Sequence, residues 1–496
     1  MPYPLTLLIS AVLGSLLPLA FAPAGIWPVA IVVPAILLYV LDRPLSSRRL
    51  FQHGFLFGCG YFGFGVYWTY NSLHDFGQAP PLVAGFIAGL LILTLALFPA
   101  TTLSAWQWCK QRIGDKAIWL LPVFWFAFEW LRGWILTGLP WISLGYAYTD
   151  SPLSGYAPLI GVYGVSALSV LMSIALFKVF CQRQYALVAI VLLVPLAGFL
   201  LQGVEWTEAE GKPLDIAMVQ GNIPQEIKWQ YEQRQNIFNI YWRETGQNWD
   251  NDLIVWPETA LPGRSDRIEK SILAPLASAA SEQGSHILSG VIVSDSANKL
   301  FYNSMVLLGE NRDEYHKRHL VMFGEYYPLR GLLEFLRNWI NIPYSDLTPG
   351  PDDQPLMSVN GVKLGVSICF ENVFSRSILL DIPEANILVN ASNDAWFGDS
   401  LAPHQHLQIA QMRAIETGRP MVRSTNTGIS AFIGAHGKIE QRSEQFKTLT
   451  LNQQVQGRSG ITPFYYFAKV QSLIAFLIVF TLLIAVIRKR RQKPIT

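Results

Sequence analysis

Seven long apolar runs crowd the first two hundred positions of the chain, near residues 5 to 23, 26 to 41, 54 to 70, 81 to 100, 117 to 137, 158 to 180 and 185 to 202, and an eighth spans about 469 to 487. Runs of roughly 17 to 23 apolar residues match the ~30 Å hydrocarbon core of a bilayer, so each reads as a membrane span. Residues 205 to 465 hold no such run and carry most of the Asp, Glu, Asn and Gln. Within them short β-branched runs recur at Leu214–Val219, Leu253–Trp256, His286–Val293, Val362–Cys369, Ala385–Val389 and Ile429–Ile433. Helix-like stretches lie between them at Trp229–Glu244 and Gln405–Thr417, the latter stopped by Gly418 and Pro420. The pattern predicts an α+β membrane protein in three parts. These are a transmembrane domain of about seven helices over 1–204, a layered α/β domain over 205–465, and a last span with a basic tail over 466–496.

Composition agrees: of 496 residues, 51% are hydrophobic and only 15% charged, too apolar a chain for an ordinary soluble enzyme. The basic residues then orient it, because short loops rich in Lys and Arg stay in the cytoplasm. With a cytoplasmic N-terminus, Arg43, Arg48 and Arg49 fall inside, as do Lys110, Arg112 and Lys116, Lys178 and Arg183, and the tail Arg488-Lys489-Arg490-Arg491-Gln492-Lys493. The opposite loops, near 22 to 27, 71 to 80 and 138 to 157, contain no Lys or Arg. That asymmetry favours eight spans, places both termini in the cytoplasm and puts the polar domain outside it. The first run lacks a basic n-region, so it reads as a retained helix and not a cleaved signal peptide. No nucleic-acid partner is expected.

Chemistry enters with the cysteines. Cys59 lies in a span, Cys109 and Cys181 sit at its cytoplasmic side, and Cys369 stands alone in the polar domain, where it cannot form a disulfide within that segment. Free cysteine is often an inert buried residue, but an unpaired thiol in an oxidising compartment is a liability unless it reacts. No CxxC or clustered Cys/His pattern points to a metal, and no cofactor is expected. Cys369 closes the run Gly365-Val366-Ser367-Ile368-Cys369-Phe370-Glu371; Glu258 follows another in Val255-Trp256-Pro257-Glu258-Thr259; Asn390-Ala391-Ser392-Asn393-Asp394 follows a third. Strand ends are where open α/β sheets carry their sites. With Lys317 in Tyr315-His316-Lys317-Arg318-His319, these residues supply a base, a cation and a nucleophile, the set needed for acyl transfer through a thioester. A membrane-tethered amidase or hydrolase using the same groups is the alternative, although it would need neither eight spans nor a lipid-facing site. A transporter or receptor is disfavoured by the few charges inside the spans and by the intact set of catalytic groups.

The same residues resemble the Glu-Lys-Cys triad of the nitrilase superfamily. Further motifs narrow the resemblance to its membrane-bound bacterial branch, the apolipoprotein N-acyltransferases. These are Val219-Gln220-Gly221-Asn222-Ile223-Pro224-Gln225, Ser392-Asn393-Asp394-Ala395-Trp396-Phe397-Gly398, Arg413-Ala414-Ile415-Glu416-Thr417-Gly418-Arg419-Pro420, Glu129-Trp130-Leu131-Arg132 and Thr137-Gly138-Leu139-Pro140-Trp141. The resemblance implies an α-β-β-α sandwich on an eight-helix membrane domain, in the bacterial inner membrane with the sandwich in the periplasm. It also implies transfer of a fatty acyl chain from a phospholipid, with phosphatidylethanolamine the expected donor, to the α-amino group of an S-diacylglyceryl cysteine at the start of a lipoprotein. In these terms Glu258 is general base and acid, Lys317 stabilises the oxyanion, and Cys369 is the nucleophile. Glu325 and Glu371 match further acidic positions, expected to orient Lys317 or the base. Trp229 matches an aromatic near the substrate entrance, while Phe370 stands where many relatives have tyrosine, which leaves it a packing role. Tyr326-Tyr327-Pro328 and the apolar stretch Leu332 to Ile342 read equally as a lid dipping into the bilayer or as an amphipathic surface helix. Glu129 and Arg132, three apart on one helix, are expected to pair.

Overall fold

The computed structural model describes residues 2–326 and 346–491. Of the stretches read as a lid, Tyr327, Pro328 and Leu332 to Ile342 lie outside the described residues. The chain divides into two compact units: Met1–Tyr67 with Gly85–Val204 and Pro463–Thr496, and Trp68–Ala84 with Glu205–Thr462. Trp68–Ala84, which in sequence reads as the end of one span, a loop and the start of the next, thus clusters with the polar residues.

The first unit is helical, with α-helices at Tyr3–Leu16, Val29–Leu41, Ser47–Gly65, Pro81–Ile113, Leu121–Arg132, Ala157–Gln182, Val188–Leu201 and Pro463–Arg491. Among the described residues, four helical stretches are long and apolar enough to cross a membrane: Tyr3–Ala20, Pro81–Arg132, Pro152–Gln182 and Pro463–Leu482. Val29–Leu41 and Tyr185–Leu201 are shorter apolar helices. Small residues let the helices close on each other; a Cβ on Gly58 would lie 2.7 Å from Ala96 Cα, a backbone approach only glycine permits. The expected Glu129–Arg132 ion pair is not formed. Glu129 Oε1 accepts from Trp125 Nε1 at 3.0 Å and from Leu144 N at 2.8 Å, while Arg132 donates to the carbonyls of Leu139 and Trp141 at 2.9 and 2.6 Å and to Ser143 Oγ at 3.0 Å. Backbone groups of the chain folding back after the helix are buried and need partners, which both side chains supply.

The second unit is a sandwich of two sheets. Its principal strands, in chain order, are β1 (Leu214–Gln220), β2 (Leu253–Val255), β3 (Leu261–Arg264), β4 (His286–Asp295), β5 (Leu300–Leu308), β6 (Asp313–His316), β7 (Met357–Val359), β8 (Val362–Ile368), β9 (Ile387–Ser392), β10 (Met421–Thr425), β11 (Ala431–Ile433), β12 (Ile439–Arg442) and β13 (Leu449–Val455). One sheet runs β13-β1-β2-β4-β5-β6, with β3 added alongside β4; the other runs β12-β11-β10-β9-β8-β7. The centre of each sheet is parallel (β1 with β2, β2 with β4; β8 with β9, β9 with β10) and the flanks are antiparallel. Leu214, Ile216, Met218 and Val255 of the first sheet meet Val366, Ile368, Val389 and Val422 of the second in one buried cluster. On the outer face of the first sheet, Ala217, Val219, Ile254 and Ile287 pack against Ile237, Tyr241, Leu276 and Ala280 of helices Arg234–Gly246 and Ala274–Gln283. Helix Ala402–Thr417 covers β10 and β11 of the other sheet and ends at Gly418, whose φ is +62°. The layers therefore run helix, sheet, sheet, helix. Central strands, covered on both faces, are the continuous apolar runs visible in the sequence. Edge strands such as β6 and β12 are polar and escape that pattern. The stretch Trp229–Glu244 is not one helix: a turn at Gln225–Lys228 precedes the helix Arg234–Gly246, and Trp229 falls between them.

Candidate active site

Glu258 stands just beyond β2, followed by Thr259 with φ +46°. That bend fits against β4 only because position 290 is glycine; a Cβ there would lie 2.2 Å from Thr259 N. Oε1 of Glu258 accepts from Asn303 Nδ2 at 2.8 Å and from Lys317 Nζ at 3.4 Å, Oε2 accepts from Asn393 N at 2.9 Å, and the backbone carbonyl accepts from Lys228 Nζ at 3.2 Å. Burial raises a carboxyl pKa, yet Lys317, Asn303, Lys228 and the Asn393 N–H together outweigh it and hold Glu258 below its ordinary value. Glu258 is therefore ionised at neutral pH.

Lys317 follows the edge strand β6, and its backbone N–H bonds the carbonyl of Asn303 at 2.8 Å, which fixes its register beside β5. Its side chain is 1% exposed and donates to Glu325 Oε1 at 2.9 Å as well as to Glu258. Burial disfavours the ammonium, but Glu325 and Glu258 reverse that and push its pKa up. Glu325 is bonded in turn by Asn303 Nδ2 at 2.7 Å and by Val321 N at 2.8 Å. Asn303, which the sequence reading did not single out, thus bridges both carboxylates; nothing but its place on the central half of β5 distinguishes it.

Cys369 ends β8 with φ +52°, in the left-handed region that non-glycine residues avoid, and opens the short turn Cys369–Val373. Its carbonyl accepts from His406 Nε2 at 3.2 Å and Asn390 Nδ2 at 3.4 Å. His406 Nδ1 lies 3.0 Å from Asp394 Oδ1, and Arg423 Nη2 donates to Asp394 Oδ2 at 2.8 Å. This buried Asp394–His406–Arg423 group therefore braces the strained residue from behind, and a bend of this kind persists only where surrounding bonds over-determine it. Burial and the Glu258 carboxylate push the Cys369 thiol far up; Lys317 and the Ser392 hydroxyl pull the other way without prevailing. The thiol is therefore protonated at neutral pH.

Glu371, fully buried, does not bond Lys317. Its Oε1 accepts from Arg318 N at 2.6 Å and His319 N at 3.0 Å, its Oε2 from Ile368 N at 2.7 Å, and the Tyr315 hydroxyl reaches both oxygens at 3.2 and 3.0 Å. It ties the backbone after Lys317 to the backbone before Cys369. Burial pushes its carboxyl up to about 7. Phe370 packs edge-on to Phe374 with centroids 5.1 Å apart and 6.1 Å from His319. Trp229, immediately after Lys228, packs with Phe301 and Tyr326 around Ile292, Leu320 and Leu347.

Two further features went unread in the sequence. Lys228 is 2% exposed and lies against the backbone of Glu258. The segment Trp68–Ala84 grips the chain beyond Asp394: Trp68 Nε1 donates to Gln405 Oε1 at 3.2 Å, Ser72 Oγ to the Trp396 carbonyl at 2.9 Å, and Trp68 meets Phe397 edge-on at 4.8 Å. The motif Arg413 to Pro420 lies in the scaffold: Arg413 pairs with Glu416 at 3.2 Å, and Arg419 Nε donates to the Ala385 carbonyl at 2.6 Å.

Residues 13–175 match the model of the apolipoprotein N-acyltransferase N-terminal domain, and residues 215–459 match that of carbon-nitrogen hydrolase. Curated relatives named apolipoprotein N-acyltransferase include the Methylococcus capsulatus protein, 40% identical over 460 residues (91% of this chain, 90% of the relative). That of Nitrosomonas europaea is 40% identical over 454 residues (90% of each), and that of Coxiella burnetii 36% over 482 residues (95% and 98%). Among solved structures, Saccharomyces cerevisiae Nit3, a member of branch 10 of the nitrilase superfamily, is similar at 17% identity with a TM-score of 0.38, covering 50% of this chain and 91% of that one.

Proposed function

The chain belongs to the apolipoprotein N-acyltransferase family, and from that membership we propose that it moves a fatty acyl chain from a phospholipid, through a thioester on Cys369, to the α-amino group of the S-diacylglyceryl cysteine at the start of a lipoprotein. The observation that carries the chemistry is the ionised Glu258, bonded to Lys317, within electrostatic reach of a protonated thiol on a strained bend. Because that thiol holds its proton, proton transfer to Glu258 accompanies attack of sulfur on the ester carbonyl. The carbonyl electron pair moves onto oxygen, where the Lys317 ammonium stabilises it. Collapse expels the lysophospholipid alkoxide, which takes the proton from Glu258 and leaves the acyl thioester. The lipoprotein amine then attacks, gives a proton to Glu258, and the departing Cys369 sulfur recovers it. Glu325 orients Lys317 in this scheme, Glu371 holds the lysine and cysteine segments together, and Trp229 and Phe370 line the approach of substrate.

The topology belongs to the same proposal: eight spans, both termini in the cytoplasm, and the domain of residues 205–465 in the periplasm, above the inner membrane. Support comes from a helix under each of the eight apolar runs and from the Lys and Arg asymmetry of the loops. Phosphatidylethanolamine is the proposed donor. Intact-protein mass spectrometry after incubation with that lipid tests the mechanism: a hydroxylamine-labile gain of one acyl group is expected, absent in Cys369→Ser and discharged by a diacylated lipopeptide. No adduct on folded, active protein would refute the thioester; discharge by water as fast as by peptide would make it a hydrolase.

A further inference from the structure

Lys228 is one of the most deeply buried lysines of the described residues, and among them no carboxylate lies close enough to form an ion pair with it. Among the described residues its one hydrogen bond is to the neutral carbonyl of Glu258. It ends the turn Gln225–Lys228, which is anchored at its other end by a bond from Asn393 Nδ2 to Gln225 Oε1 at 2.9 Å; the backbone of that same Asn393 holds Glu258 Oε2. The turn therefore brackets the base from both sides. An ammonium so placed is costly to bury, and an apolar side chain would fill the space without that cost. The charges around it give it a use. Glu258 and Glu325 bring two negative charges to the Lys317 ammonium, which balances only one of them.

We propose that Lys228 is the second cation of the active site, a positioning residue that holds Glu258 through its carbonyl and balances the extra carboxylate, so that the cluster is neutral when Cys369 gives up its proton. The inference rests on the reading of Glu258 as base. Without Lys228 the buried cluster would carry a net negative charge, and a thiolate would form against it. Among the described residues, the titratable groups whose charge acts on Lys228 are Glu258 and Cys369. Burial brings its own pKa down to about 8, against the pull of those two groups. Its charge is therefore present at neutral pH and withdrawn on the alkaline side.

That titration supplies a signature a structural lysine would not have. The rate of Cys369 alkylation by iodoacetamide, read on the Cys369 peptide by mass spectrometry in the full chain, is measured from pH 6 to 10 for wild type, Lys228→Met, Lys228→Gln and Lys228→Arg. Near pH 6.5 wild type should react at least about 10-fold faster than the Met and Gln variants, one pKa unit on the thiol. The gap should close above about pH 9, where wild-type Lys228 is itself neutral, while the Arg variant keeps the fast rate throughout. Gln retains a donor for the Glu258 carbonyl without the charge, so it separates the two effects and serves if Met does not fold. A ratio independent of pH, or no gap, overturns the inference. Glu258→Gln reacting like wild type at every pH would instead overturn the reading of Glu258 as base.

Discussion

Glu371→Ala removes the acceptor that joins the lysine and cysteine segments. The carboxylate takes three backbone N–H groups, from Ile368, Arg318 and His319, and the Tyr315 hydroxyl, all in a fully buried setting. Alanine would strand all four donors. At about 1 kcal/mol each, the low end for a buried unsatisfied group, the loss is about 4 kcal/mol. In a domain of this size about 1 kcal/mol moves Tm by about 2–4 °C, so Glu371→Ala should melt about 8–16 °C below wild type. Tyr315→Phe removes one donor and spares the backbone bonds; it should cost about 1 kcal/mol, or about 2–4 °C. Thermal unfolding in detergent, followed by tryptophan fluorescence, reads both. Acylation of Cys369 at a temperature where both variants are folded should then fall far more in Glu371→Ala, because Lys317 and Cys369 lose their common anchor. A Glu371→Ala protein that melts within 2 °C of Tyr315→Phe would refute the reasoning.

Replacing Lys317 with Met should lower acylation by about 100- to 1000-fold, as loss of an oxyanion donor does; single-turnover mass spectrometry measures it, and a loss under about 10-fold would contradict the role. Arg423 and His406 hold the Asp394 carboxyl below its ordinary range despite burial, so its stabilising contribution is present above the unfolded carboxyl pKa and lost as pH falls below about 4. Tm measured from pH 7 down to pH 2 should therefore show a fall below about pH 4 that is larger in wild type than in Asp394→Asn, which is already destabilised at neutral pH. Gly290→Ala would drive a methyl into Thr259 N and displace Glu258; turnover should fall at least about 10-fold with the fold retained, checked by activity against circular dichroism.

The apolar runs, the polar domain between them and the central strands were all legible in the chain, because hydropathy over about 20 residues and apolar runs of about 5 are local properties that bilayer and sheet read directly. Glu258 and Cys369 were legible for a related reason, since each follows or closes an apolar strand run, whereas Lys317 follows the polar edge strand β6 and stood out only by its motif. Their meeting was not legible. Lys317 reaches Glu258 only because β5 and β6 pair in a register that sets Lys317 beside Asn303, and Asn303 itself is one amide among many until that pairing aims it at two carboxylates. The i,i+3 spacing of Glu129 and Arg132 suggested an ion pair, but the chain returning over residues 139 to 144 offered buried backbone groups that bound each side chain more closely. Nothing in the sequence singles out Lys228, and Trp68–Ala84 reads there as the end of one span, a loop and the start of the next. Local pattern thus determined which elements exist and which side chains are candidates for chemistry. Which charges are buried, and against what, depended on desolvation, and desolvation is set by residues far apart in the chain that only the tertiary fold brings together.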